Sequence, residues 1–166
     1  MLREIKTKYK HYFVDENDLK QGEYKDYHNN GSLYEHSLYL NDRRHGDSYL
    51  FYNNGKLHLH FVFHHGVLHG EYKVYHSNGK PCSHAYYQNG KSHGENMTYY
   101  FSGSIESHSS YNNGKPHGVY KHYYESGEVD YATFYYQGKN LNVDPDSLTE
   151  KDKTYILLSG RLPPRD

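Results

Sequence analysis

The chain has 166 residues and a formal net charge of −1, which fits one domain and gives no electrostatic footing for nucleic acid or an anionic lipid surface. Leu, Ile, Val and Phe together supply only about 18% of the residues, too few for a thick aliphatic interior, whereas 22 are Tyr, a strand former that buries its ring while its hydroxyl stays wet. The single cysteine, Cys82, excludes an intrachain disulfide, and the absence of a transmembrane run or a signal-type apolar segment makes a cytoplasmic location the expectation.

The first predicted element is an N-terminal half-repeat over residues 1–20, in which Tyr12-Phe13 and then Lys20-Gln21-Gly22 read as the second half of a longer pattern. That pattern fills residues 21–140. Glycines recur every 24 residues at Gly22, Gly46, Gly70, Gly94 and Gly118. A second register stands nine residues on, at Gly31, Gly55, Gly79, Gly103 and Gly127. A third stands twenty on, at Gly66, Gly90, Gly114 and Gly138, with Asp42 in its place in the first unit. Three glycine registers held through five units mean five copies of one supersecondary element.

Each unit carries two turns. Asn53-Asn54-Gly55-Lys56, Ser77-Asn78-Gly79-Lys80 and Asn112-Asn113-Gly114-Lys115 are hairpin sequences, because Asn and Gly accept the positive φ of tight β-turns. The Tyr- and Phe-rich runs between turns read as strands, about ten of them, in an antiparallel meander roughly 45–50 Å long. The expected fold is therefore all-β: an elongated single antiparallel sheet of repeated β-hairpins. Positions are counted from the opening glycine of a unit. Core rows are nominated at position five (Tyr27, Phe51, Tyr75, Tyr99, Tyr123), eleven (Leu33, Leu57, Pro81, Ile105, Val129) and seventeen (Tyr39, Phe63, Tyr87, Tyr111, Tyr135). The rings at position two (Tyr24, Tyr72, Tyr120) have the opposite parity to position five, so either a bulge intervenes or both faces carry rings.

Residues 141–166 form the expected C-terminal cap and tail. Asp144-Pro145 opens a helix, Ser147-Leu148-Thr149-Glu150 fits a capping box, and Gly160 closes the helix before Pro163-Pro164. Leu148, Tyr155, Ile156 and Leu158 are expected to pack on the last hairpin. A final strand over Thr154 to Leu158 is the rival reading.

The unit resembles the second variant of the MORN repeat, loosely G-x-Y-x-x-Y-Y-x-N-G-K followed by Y-x-N-G-K-x-H-G. Tyr72, Tyr75, Asn78, Gly79, Lys80, Tyr87, Asn89, Gly90, Lys91, His93 and Gly94 carry the match. The resemblance implies an extended chain of hairpins and a protein-interaction scaffold. The alternative it implies is an antitoxin-like immunity protein that neutralises a toxin partner.

Candidate chemistry is weighed residue by residue. His45, His69, His93 and His117 precede opening glycines, and His36, His60, His84 and His108 occupy position fourteen. Like members of a ladder stand two strands apart, roughly 10 Å, too far to share an ion whose nitrogen ligands lie about 2 Å away. Neither ladder by itself implies a metal, a site drawn from both sets stays open, no cofactor is implied, and the first set reads as turn residues bonding local backbone. The second set is expected opposite the residue eleven places later, giving the pairs His36–Asp47, His60–Glu71 and His84–Glu95. Repetition in successive units marks such pairs as structural, and no catalytic activity is expected. Lys56, Lys80, Lys91, Lys115 and Lys139 read as a charged rim, and their dispersal gives phosphoinositide binding no support. The partner-binding candidates are rings of opposite parity to the nominated core: Tyr52, Tyr86, Tyr100, Tyr124 and Phe134. They are expected to lie near solvent and to receive a protein partner.

Overall fold

The structure is a computed structural model describing residues 1–164. Arg165 and Asp166, the end of the expected tail, lie outside the described residues. Two short strands lead, β1 (Arg3–Lys6) and β2 (Lys10–Val14). The repeats then supply β3 (Lys20–Tyr27), β4 (Leu33–Leu40), β5 (Arg43–Phe51), β6 (Leu57–His64), β7 (Val67–Tyr75), β8 (Pro81–Gln88), β9 (Lys91–Tyr99), β10 (Ile105–Asn112), β11 (Lys115–Tyr123) and β12 (Val129–Tyr136). A two-residue strand, β13 (Lys139–Asn140), ends the sheet. Strand order equals chain order, so the described residues form one 13-stranded antiparallel meander. At about 4.8 Å per strand it extends for roughly 55–60 Å.

Two irregularities per unit set which side chains share a face. Across the Asn-Gly turn the pairing runs Leu50↔Leu59 and then Phe51↔Leu57, which leaves His58 as an extra residue. The same shift occurs where Tyr27 meets Leu33 and Tyr75 meets Pro81. Across the other turn Phe61↔Tyr72 is followed by Phe63↔Leu68, so the His69-Gly70-Glu71 segment bulges out of the ladder. The opening glycines hold φ between +71° (Gly22) and +112° (Gly70) there, a conformation that a Cβ penalises. Both readings of the ring parity thus hold together: bulges intervene, and both faces carry rings.

The buried row is position fifteen, not the nominated rows. Ser37, Phe61, Ala85, Ser109 and Thr133 are all buried, with Tyr24 and Ser48 of position two across from them. Among the described residues no second layer covers this face, and the row is covered by neighbouring rings that lean across it. The Tyr24 and Tyr39 rings stand 5.3 Å apart, and Tyr72 and Tyr87 5.6 Å apart. Positions five and seventeen are half-buried, whereas Pro81, Ile105 and Val129 of position eleven are exposed. The bulge at position twelve is the reason: it carries position eleven out to the turn rim.

The C-terminal segment is helical. Asp144 caps a 3-10 turn at Pro145–Ser147, and α1 (Glu150–Ser159) follows. The capping box is Thr149 with Asp152, not Ser147 with Glu150, and Gly160 closes α1 in the left-handed region at φ +71°. Ile156 and Leu148 are buried with Phe134, beside Val119, Tyr136, Leu141 and Val143. Tyr155 and Leu158 are exposed, contrary to expectation, because α1 lays one narrow stripe on the sheet. No helix among the described residues is long and apolar enough to cross a membrane.

Candidate functional site

The two rims of the sheet are built by different chemistry, and each joins a unit to its neighbour. On the Asn-Gly rim, position six reaches the backbone of the next unit. Tyr52 Oη donates to the Tyr75 carbonyl at 2.8 Å and Tyr100 Oη to the Tyr123 carbonyl at 2.6 Å. His28 Nε2 lies 2.9 Å from the Phe51 carbonyl and His76 Nε2 3.3 Å from that of Tyr99. Asn30 and Asn78 repeat the device from the turn itself, donating to the carbonyls of Asn53 and Phe101 at 3.0 Å. Lys56 Nζ donates to the Asn78 carbonyl at 2.8 Å, and Lys80 likewise to Ser102. Each of these lysines thus bonds a neighbouring turn.

On the opposite rim the turn glycines donate backward. Gly66, Gly90, Gly114 and Gly138 N–H groups reach the carbonyls of Arg44, Leu68, Ser92 and Pro116 at 2.7–2.8 Å. Histidines ahead of the opening glycines face this rim. Nδ1 of His45 and of His117 accepts from the backbone N–H of His65 and Gln137 at 3.3 Å, and Nδ1 of His69 from Asn89 at 3.5 Å. An accepting Nδ1 must be unprotonated. Burial accordingly holds His117 below the ordinary histidine value.

Both rims thus join each hairpin unit to its neighbour, and the sequence matches a MORN repeat variant over residues 20–41, 44–63, 68–91, 92–113 and 116–137. The chain belongs to the MORN repeat variant family. A comparison with curated protein sequences gives no match.

The two faces of this MORN sheet differ in charge. One holds the leaning rings and an ion pair in the first two units whose carboxylate, Glu35, is buried and whose Arg44 is half-buried. Arg44 Nη2 lies 2.6 Å from Glu35 Oε1, which also accepts from Ser37 Oγ at 2.7 Å. On the same face burial pushes the Tyr120 phenol up to about 12. The other face carries histidines and carboxylates, but not in the expected pairs. His60 Nε2 lies 2.7 Å from Asp47, while His36 and His84 lie 3.4 Å from Glu23 and Glu71, and His108 3.8 Å from Glu95. Each histidine meets the carboxylate thirteen residues earlier rather than eleven later. The bulge at the opening glycine is the cause, because three residues, His45 to Asp47, oppose the single Leu38 and carry Asp47 away from His36. Glu23 is held below the usual carboxylate range first by Lys25 and then by His36. Glu71 is held down chiefly by Lys73. The imidazoles are half-buried while the carboxylates stay largely open to solvent, and each pair contributes on the order of 0–1 kcal/mol.

The five partner-binding candidates are not brought onto one surface. Tyr52 and Tyr100 are half-buried in the Asn-Gly rim, where their hydroxyls are spent on the next unit. Tyr124 ends that row with no sixth unit to receive its hydroxyl, and its ring is 52% exposed. Tyr86 lies on the histidine face, 41% exposed, with its hydroxyl 3.2 Å from Glu71 Oε1. Phe134 is the clear correction: it is 1% exposed, buried against Ile156 and Leu148. Position-sixteen parity places it on the histidine face as expected, but α1 covers that face in the last unit. One signal for this stood in the sequence. The carboxylate after the opening glycine becomes Val119 in the last unit alone of the final four, and Val119 packs against that cluster.

Proposed function

We propose that the protein is a non-catalytic protein-interaction module of the cytoplasm, with residues 21–140 presenting the binding surface and residues 141–166 closing its C-terminal end. One observation carries the reading. A single-layer sheet leaves both faces in contact with water over most of its length, and tyrosines half-covered by their neighbours line it. Such rings bury large area on docking at low cost in side-chain entropy. Tyr124 and Tyr86 are the rings of the original candidate set with most surface left to give. Tyr52 and Tyr100 serve the rim and would contribute only their outward edges, and Phe134 is withdrawn from the surface.

The test is a photo-crosslinking residue at position 124, with capture repeated for Tyr124→Ala combined with Tyr86→Ala. A discrete partner that crosslinks to the wild-type surface and is lost from the double variant, with an unchanged circular dichroism spectrum, supports the reading. Equal capture by the double variant rules this surface out. One partner that is a toxin, with growth rescued on co-expression, would select the immunity-protein form of the proposal over the scaffold form.

A further inference from the structure

The second unit breaks the repeat at one place, and it does so with metal-ligating side chains. Positions eighteen and nineteen form the turn that the histidine before the opening glycine overhangs. They are Leu40-Asn41, Gln88-Asn89, Asn112-Asn113 and Tyr136-Gln137 in four units, but His64-His65 in the second. His65 holds φ +50°, as Asn41, Asn89 and Asn113 hold +50° to +53° at the equivalent place. Gln137 holds +50° at the same place in the fifth unit, so Asn, Gln and His all take this conformation and the backbone alone does not call for an imidazole.

The fold then adds a third imidazole. His45 overhangs this turn, and its ring centroid lies 4.7 Å from that of His65 and 5.3 Å from that of His64. One ligand nitrogen from each of His45, His64 and His65 lies within 4.8 Å of the other two. His64 and His65 are exposed, and His45 is half-buried. The third, fourth and fifth units have the overhanging histidine but lack imidazoles beneath it, and the first has Gln21 in its place, so the triad occurs once among the described residues.

We propose that His45, His64 and His65 form a site for one first-row transition-metal ion, with Zn²⁺ as the reference occupant. Three imidazoles with an outward-facing fourth position match the donor set that zinc and copper take from proteins. Ligand nitrogens around tetrahedral zinc stand about 3.3 Å apart, so the three rings must close by a little over an ångström. Exposed side chains on a turn make such a movement by rotamer adjustment. Two features oppose binding. The His45 Nδ1 bond from the His65 N–H, 3.3 Å long, is lost when that nitrogen is protonated or metallated, and Arg43 places a positive charge nearby. The ion is therefore an added ligand on a folded turn, and the sheet does not need it to fold.

The experiment is calorimetric titration of the untagged full chain with Zn²⁺, alongside variants built from residues that the chain itself uses at equivalent positions. His64→Gln with His65→Asn installs the Gln88-Asn89 turn of the third unit, and His45→Gln copies Gln21 of the first. His93→Gln removes the overhanging histidine of the fourth unit, whose turn is Asn112-Asn113. The expected result is one Zn²⁺ per chain, affinity reduced roughly a hundredfold or more in both triad variants, and affinity unchanged in His93→Gln. A Cu²⁺ complex should show nitrogen hyperfine coupling that the double variant loses. The proposal is overturned if the wild-type chain takes up no Zn²⁺ below millimolar concentration. It is equally overturned if the double variant, folded by circular dichroism, binds as the wild type does, since scattered histidines are then responsible.

Discussion

The third and fifth repeats are written to one template and end in opposite situations. At position sixteen Tyr86 is 41% exposed beside Glu71, whereas Phe134 is 1% exposed against Ile156. At the residue after the opening glycine the third unit has Glu71 and the fifth Val119. The strands, bulges and turns are the same. What differs is that an inner unit is bordered by other units at its edges while its faces stay in water, and the last unit has α1 laid across one face. Lys121, 2.8 Å from Asp146, ties the cap to the same face. Position in a repeat therefore fixes geometry, and the neighbour across the face decides whether a ring is core or surface.

The largest effect expected from breaking this contrast is at Phe134. Phe134→Ala should cost about 3–5 kcal/mol and Ile156→Ala about 2–5 kcal/mol in urea unfolding, because each opens a cavity in the apolar cluster under the cap. Tyr86→Ala should cost under about 1 kcal/mol, as exposed side chains do. Equal costs at Phe134 and Tyr86 would abolish the distinction between the units.

A deletion sharpens the same comparison from the other side. Removing His69 to Ser92, one whole 24-residue unit, should leave a folded, shorter sheet, since each unit bonds mainly to its neighbours. Removing twelve residues should mismatch the two kinds of rim. Equal loss of strand signal in circular dichroism for both deletions would contradict the modular arrangement.

At the seam between cap and sheet, Gly160→Ala should destabilise the C-terminal region by more than the ~1 kcal/mol of an ordinary left-handed cap. The added Cβ would stand 2.5 Å from Tyr136 Cε1, so that ring must shift. Hydrogen exchange confined to α1 and β12 is the measurement, and global protection changes would show that the cap is not a local unit.

Smaller still is the rim. Tyr52→Phe deletes the bond to the Tyr75 carbonyl and should cost about 0.5–1.5 kcal/mol, while Tyr124→Phe, whose exposed hydroxyl meets Asp130 of its own unit and no following one, should cost less. Smallest is a pH effect at His117. Its folded value is depressed by burial, so its contribution is fully present above the ordinary value of about 6.5 and is lost as pH falls through the lower folded value. His117→Gln, the residue of the first unit, should flatten that part of the stability profile.

Five hairpin units, their turns and the all-β class were legible from glycine spacing, because tight turns demand positive φ and glycine is its cheapest source. The expected pairing of His36 with Asp47 shows where such reading stops. A bulge adds residues to one strand without any mark in composition, and a shift of that size re-pairs every side chain beyond it. Tyr100 and Tyr52 were legible as rings off the main core rows, but not as staples, since their carbonyl partners lie 23 residues away and depend on how adjacent hairpins stack. The sequence by itself determined the repeat and its turns, which follow from local backbone chemistry, and left helix and strand both open for the C-terminal segment. Only the tertiary structure decided which histidines meet which carboxylates, that Phe134 is core, and that His45 joins His64 and His65, because each depends on register and docking between segments that local preference does not encode.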